Sequence, residues 1–145
     1  MKRRLIVPAL AVVLSSCNFT TYKTIGEAAT ETFHQRVDRG DYDAITDSAS
    51  YLMYRVIDPD DLREALITVH EMVGPCGPAT HTGWRVSETQ RGSFVTISAT
   101  RSCEAQDLEE DFVWEIAGSQ ANLAGYTYRP VAKAGRAAGS GSSTI

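Results

Sequence analysis

The spacing of apolar residues changes once along this chain, at the glycine- and proline-rich stretch Gly74-Pro75-Cys76-Gly77-Pro78. Before it, apolar side chains recur every three or four residues, the repeat of a helix face. After it they alternate with polar ones, the repeat of a strand. From Gly26 to Arg39, Ala29, Phe33 and Val37 are spaced by four, and Gly40 supplies a stop. Asp41 is placed to cap a short second helix with Tyr42, Ile45 and Ala49 on one face. Residues 50–57 are apolar and read equally as strand or helix. Asp58 then offers an N-cap, Pro59 suits the first helical position, and Asp60 and Asp61 lie at the positive end of the dipole. Leu62, Leu66, Val69 and Val73 follow on one stripe.

Four strands are expected after the change. Trp84 and Val86 mark the first, residues 94–101 the second, Phe112, Trp114 and Ile116 the third, and residues 123–129 the fourth. Turns are expected at residues 90–93 and 118–120, and residues 104–110 read as an acidic, solvated connection. Helices segregated ahead of an antiparallel meander predict an α+β domain, its sheet burying one face against the long helices. That domain spans residues 26–131. Residues 132–145, dominated by glycine, alanine and serine, read as a disordered tail.

The first sixteen residues do not belong to that domain. Lys2, Arg3 and Arg4 precede a ten-residue apolar run, Leu5 to Leu14, about half the length a permanent membrane helix needs. Leu14-Ser15-Ser16-Cys17 resembles the bacterial lipobox, in which the cysteine thiol takes a diacylglycerol and the signal is cut just before it. The resemblance implies a signal peptide at 1–16, a lipid on Cys17, a polar tether over 17–25, and a domain facing the periplasm. By the same resemblance Asn18, rather than aspartate, implies the outer membrane. The alternative is an ordinary secreted chain whose Cys17 pairs or stays free.

Lipidation of Cys17 leaves Cys76 and Cys103 as an even pair, and in an oxidising compartment the expectation is one disulfide. Folding the hairpin about Arg91 and Gly92 brings residue 103 near residue 79. Two buried free thiols are the alternative; no cofactor is expected, and neither His70 nor His81 stands at a metal-ligand spacing. The net charge is −4, and removal of the basic signal takes the mature part to about −7. That balance argues against nucleic acid or an anionic membrane surface as the main partner.

The helix and turn Phe33-His34-Gln35-Arg36-Val37-Asp38-Arg39-Gly40-Asp41-Tyr42-Asp43-Ala44-Ile45 resembles the nuclear transport factor two-like, or cystatin-like, superfamily, and within it small bacterial lipoproteins. So do the third helix closing over Leu66 to Gly74, Gly83-Trp84 opening the sheet, Phe112-Val113-Trp114, and Leu123-Ala124-Gly125-Tyr126. The resemblance covers residues 26–129. It implies a curved sheet wrapped on a helix around a conical cavity, which Tyr51, Tyr54, Trp84, Phe94, Trp114 and Tyr126 could line. Some members of that superfamily catalyse proton transfer and many only bind. The isomerases' catalytic aspartate has no counterpart in this sequence.

His34 sits beside Phe33, His70 follows Val69 and His81 stands near the start of the sheet; a packed or half-exposed side chain is the ordinary reading of each, and none is paired with a nucleophile. Asp38, Asp41 and Asp43, and Asp58, Asp60 and Asp61, are accounted for by helix ends. No Gly-x-Ser-x-Gly, P-loop or His-Glu-x-x-His occurs. The expected function is a lipid-anchored module binding a small apolar molecule or another envelope protein. A cavity enzyme, isomerase or lyase, is the alternative, and a homodimer through the sheet face is a further possibility.

Overall fold

The computed structural model describes residues 17–133 and places four helices ahead of a four-stranded sheet. The helices are α1 (Cys17–Asp38), α2 (Tyr42–Asp47), α3 (Tyr51–Tyr54) and α4 (Pro59–Val73). The strands are β1 (Thr80–Thr89), β2 (Gly92–Ser102), β3 (Asp107–Ala117) and β4 (Gln120–Val131), all antiparallel neighbours in the order β1-β2-β3-β4. The sheet is open, with β1 and β4 at its edges. The fold is therefore α+β, helices first and meander second. The expected signal at 1–16 and most of the expected tail lie outside the described residues.

α4 forms where its end signals stand. The Asp58 side chain accepts from the Asp60 backbone N–H at 3.1 Å, and Gly74 closes the helix at φ +74°, a conformation that favours glycine. Leu62, Leu66, Val69 and Val73 are all buried. α2 is less well anchored than expected, since Asp41 makes no side-chain cap among the described residues. The ambiguous residues 50–57 contain α3, capped by Ser50 through the Leu52 N–H. Ser50 also ties this segment to the sheet, its N–H donating to the Leu123 carbonyl at 2.8 Å and its hydroxyl to Glu115.

The main correction lies at the start. Residues 17–25 are not a loose tether; they are the first turns of α1, continuous to Asp38. The face that α1 lays on the sheet carries Gly26, Thr30, Phe33, His34 and Val37, all buried and all at helical spacing. Gly26 is required by close approach. A Cβ there would stand 2.6 Å from Val95 Cγ1 and 3.1 Å from Ile97 Cγ1. Thr30 Oγ1 donates back to the Gly26 carbonyl and accepts from Trp114 Nε1, each at 2.9 Å.

The strands are longer than expected, and β3 absorbs part of the acidic connection. Its buried residues are Leu108, Glu110, Phe112 and Trp114, which alternate strictly. On β2 the matching row is Val95, Ile97, Ala99 and Arg101. Thus one glutamate and one arginine occupy the helix-covered face of an otherwise apolar sheet.

Cys76 and Cys103 form a disulfide. The hairpin register brings residue 103 opposite residue 76, three positions from the expected 79. Gly77 N–H to Ser102 carbonyl, and Glu104 N–H to Pro75 carbonyl, hold the two segments together at 2.8 Å each. The bridge packs in a satellite core with Val69, Val73 and Leu108.

Candidate functional site

Three side chains from three elements meet where α1 crosses the middle of the sheet. His34 Nε2 lies 2.7 Å from Glu110 Oε2, and the Tyr126 hydroxyl donates to Glu110 Oε1 at 2.7 Å. His34 is 3% exposed and Glu110 5%. With Glu110 as the carboxylate, it can only accept, so Nε2 carries the proton toward it. Nδ1 is then the one buried side-chain polar atom without a partner among the described residues. Burial raises the Tyr126 pKa well above its ordinary value, and the adjoining Glu110 charge and hydrogen bond push the same way. The phenol therefore stays protonated and donates.

Apolar rings enclose this group. Phe112 meets the His34 ring edge-on at 5.4 Å, and Phe33 lies 4.9 Å from Phe112 and 5.1 Å from Tyr126. The space beside it, bounded by Val69, His70 and Leu108 as well, has a volume of about 20 Å³, room for about one water molecule. A carboxylate-bound imidazole next to a phenol is an inventory for proton transfer. The space beside it does not admit a substrate.

Arg101, buried on the same face, closes the far end of α1. Its Nη2 donates to both Asp38 oxygens, at 3.1 and 2.8 Å, and to the Cys76 carbonyl at 3.3 Å, while Nε donates to the Gly77 carbonyl at 2.9 Å. One guanidinium thus fastens helix, strand and disulfide loop together.

A second space, larger than the one beside Glu110, lies further along the helix layer. A cleft of about 190 Å³ separates α1 and α2 from the β3–β4 end of the sheet. Ala29, Phe33, Trp114 and Leu123 give it apolar walls, and Arg36 and Ser48 stand among them.

The residues expected to line one cavity are dispersed. Tyr126 belongs to the buried network and Trp114 to the cleft. Tyr54 packs against the core and its hydroxyl donates to the Thr46 carbonyl. Tyr51 is 76% exposed on α3, and Trp84 is 48% exposed on the edge strand β1. Phe94 alternates with the buried Val95 and so faces away from the helices. These last three do not line a common cavity: a short helix, an edge strand and the outer sheet face put them on different surfaces. His70 borders the small space beside Glu110, and His81 Nδ1 lies 3.4 Å from Glu27 Oε1. Among the described residues no cluster of histidine, cysteine, aspartate and glutamate is arranged to hold a metal, and no helix is long and apolar enough to cross a membrane.

Glu110, Arg101 and Arg36 are absent from the residues that sequence reasoning singled out. For two of them a signal existed. Glu110 is in phase with Leu108, Phe112 and Trp114, and Arg101 with Val95, Ile97 and Ala99. Neither a protein-family model nor a curated protein sequence matches this chain.

Proposed function

We propose that this chain is a lipid-anchored interaction module of the bacterial envelope, binding rather than transforming its ligand. In this reading Cys17 carries the lipid, the membrane is the outer membrane, and a nuclear transport factor two-like domain faces the periplasm. The ligand is a small apolar molecule or another envelope protein. The observation that carries it is a contrast of volumes. The one histidine–carboxylate–tyrosine group borders about 20 Å³, whereas the 190 Å³ cleft is lined chiefly by apolar side chains. The polar group is buried as a support for the core, and the space for a guest lies elsewhere.

The anchor is tested by mass spectrometry of the protein extracted from membranes. Wild type carries the added mass of acyl chains at Cys17, and Cys17→Ser lacks it and leaves the membrane fraction. A wild-type mass without lipid defeats the anchor. Binding is tested by titrating the mature, detergent-solubilised chain with small apolar molecules and following its unfolding temperature. A ligand bound only by the folded state raises that temperature with concentration.

A cavity enzyme remains the second reading, favoured by one observation, the partnerless Nδ1 of His34. It requires the core beside Glu110 to open by several times its present volume. Turnover of any proton-transfer substrate that His34→Gln abolishes, without loss of folding, would select it.

A further inference from the structure

We infer that the cleft between α1, α2 and the β3–β4 end takes a small carboxylic acid with a compact apolar body, paired through its carboxylate with Arg36. This rests on the small-ligand form of the binding reading and names the chemistry of that ligand.

Arg36 carries the inference because of how it is held. Its Nη1 donates to the Ala44 carbonyl and to Ser48 Oγ, both at 2.9 Å. Those two bonds use both Nη1 hydrogens and fix the plane of the guanidinium. Both acceptors are neutral. Arg63, Arg101 and Arg129 each have a carboxylate partner, in Asp43, Asp38 and Glu109. Among the described residues Arg36 has none within 4.0 Å, although it is partly buried at an apolar cleft. The donors left over are Nε and Nη2, the edge of the guanidinium that matches a carboxylate in two parallel bonds.

The body of the ligand follows from the walls. Ala29, Phe33, Trp114 and Leu123 offer contact to carbon and no charge. A dry apolar space of about 150 Å³ is enough for a benzene-sized ring. At about 190 Å³ the cleft suits one ring or a short branched chain with its acid group at the Arg36 side. A charge partly removed from water gains more from an opposite charge than an exposed one, so acid and neutral analogue should differ in affinity.

The test uses phenylacetate and its uncharged analogue phenylacetamide on the mature, detergent-solubilised chain labelled with ¹⁵N. The chain has two tryptophans, and they act as site and control. Trp114 lines the cleft, whereas Trp84 is exposed on β1. Their indole signals are distinguished with Trp84→Phe. Phenylacetate is expected to shift the Trp114 indole saturably and to leave Trp84 in place. Phenylacetamide should bind roughly tenfold or more weakly, the effect expected of losing a charged hydrogen-bonded pair. Arg36→Gln should bring the two probes to equal affinity, and Ala121→Leu, which adds bulk to the cleft wall without touching Arg36, should remove both. Equal affinity for acid and amide in the wild type overturns the pairing with Arg36 and leaves the cleft as a binding site. No saturable shift by either probe up to about 20 mM overturns this inference together with the small-ligand reading. The comparison of acid with amide needs no variant, so a poorly folding Arg36→Gln does not protect the idea.

Discussion

His34 and Glu110 are 76 residues apart in sequence and joined at 2.7 Å inside the protein, both nearly free of solvent contact. Together with the Thr30–Trp114 hydrogen bond, this contact ties α1 to β3. Removing one member of such a pair leaves the other's polar atom buried without a partner, at a cost of about 1–3 kcal/mol. Glu110→Ala should lose that much in urea unfolding, and also strands the Tyr126 hydroxyl. His34→Leu with Glu110→Leu should cost less than the sum of the two single changes. Additive losses would show that the contact contributes nothing as a pair.

Tyr126 makes stability depend on alkaline pH. Its pKa in the folded protein is raised above the ordinary 10.0, so above pH 10 the folded state holds a proton that the unfolded chain releases. The stabilising contribution is present below pH 10 and falls as pH rises beyond it, by up to about 1.4 kcal/mol per pH unit. Tyr126→Phe should flatten that decline relative to wild type while costing roughly 1–3 kcal/mol at neutral pH, where a Glu110 oxygen loses its donor. Unfolding measured from pH 8 to 11 checks both. Tyr42 and Tyr54 have pKa values raised chiefly by burial, so some slope should persist in the variant.

Gly26 is the place where a single methyl group should matter. The helix alone would gain about 1 kcal/mol from Gly26→Ala. The new Cβ would fall inside contact distance of Val95 and Ile97, and overfilling a packed core costs about 1–3 kcal/mol. The second effect should win, giving a net loss. An unchanged or raised melting temperature would mean that α1 can lift from β2 without penalty.

The order of elements was legible because apolar spacing is set by which face is buried, and that face changes from a helix stripe to a strand row at Gly74–Pro78. The ends of α4 were legible for a related reason: Asp58, Pro59 and Gly74 act locally. The candidate site was legible only as a phase, in Glu110 keeping step with Leu108, Phe112 and Trp114. Glu110 lies in a run of acidic residues, and acidic runs are usually solvated. Only tertiary packing, with His34 above it and Tyr126 beside it, makes burial of that carboxylate tolerable. Arg36 is silent in sequence, because what sets it apart is the lack of a carboxylate partner among the described residues. The cavity-lining aromatics failed for separate reasons: Tyr51 is exposed on α3, Trp84 stands on the edge strand β1, and Phe94 faces away from the helices, none of which aromatic character reveals.

The Cys76–Cys103 bridge closes a 27-residue separation that contains the whole β1–β2 hairpin. In the chain-entropy account such a closure contributes about 3–4 kcal/mol. Melting the protein with and without reductant should show a drop consistent with that figure, and the intact mass should rise by about two protons per bridge on reduction. Two thiols that alkylate in denatured, unreduced protein would refute the pairing.

That residues 18–25 belong to α1 bears on how the proposed anchor would work. As an extended tether, residues 18–25 would let the domain roam about 27 Å from the bilayer; as helix they span about 12 Å and move with the core. Lys23 and Glu27, 2.9 Å apart, add an i to i+4 pair on that helix. The backbone amides of residues 21–25 should therefore resist hydrogen exchange in the lipidated protein to a degree approaching residues 30–37. Exchange within seconds over 21–25, beside slow exchange over 30–37, would restore the expected tether. Protection over both stretches would hold the α1, α2 and β3–β4 cleft at a fixed height above the lipid. A ligand would then be captured close to the bilayer surface rather than far out in the periplasm.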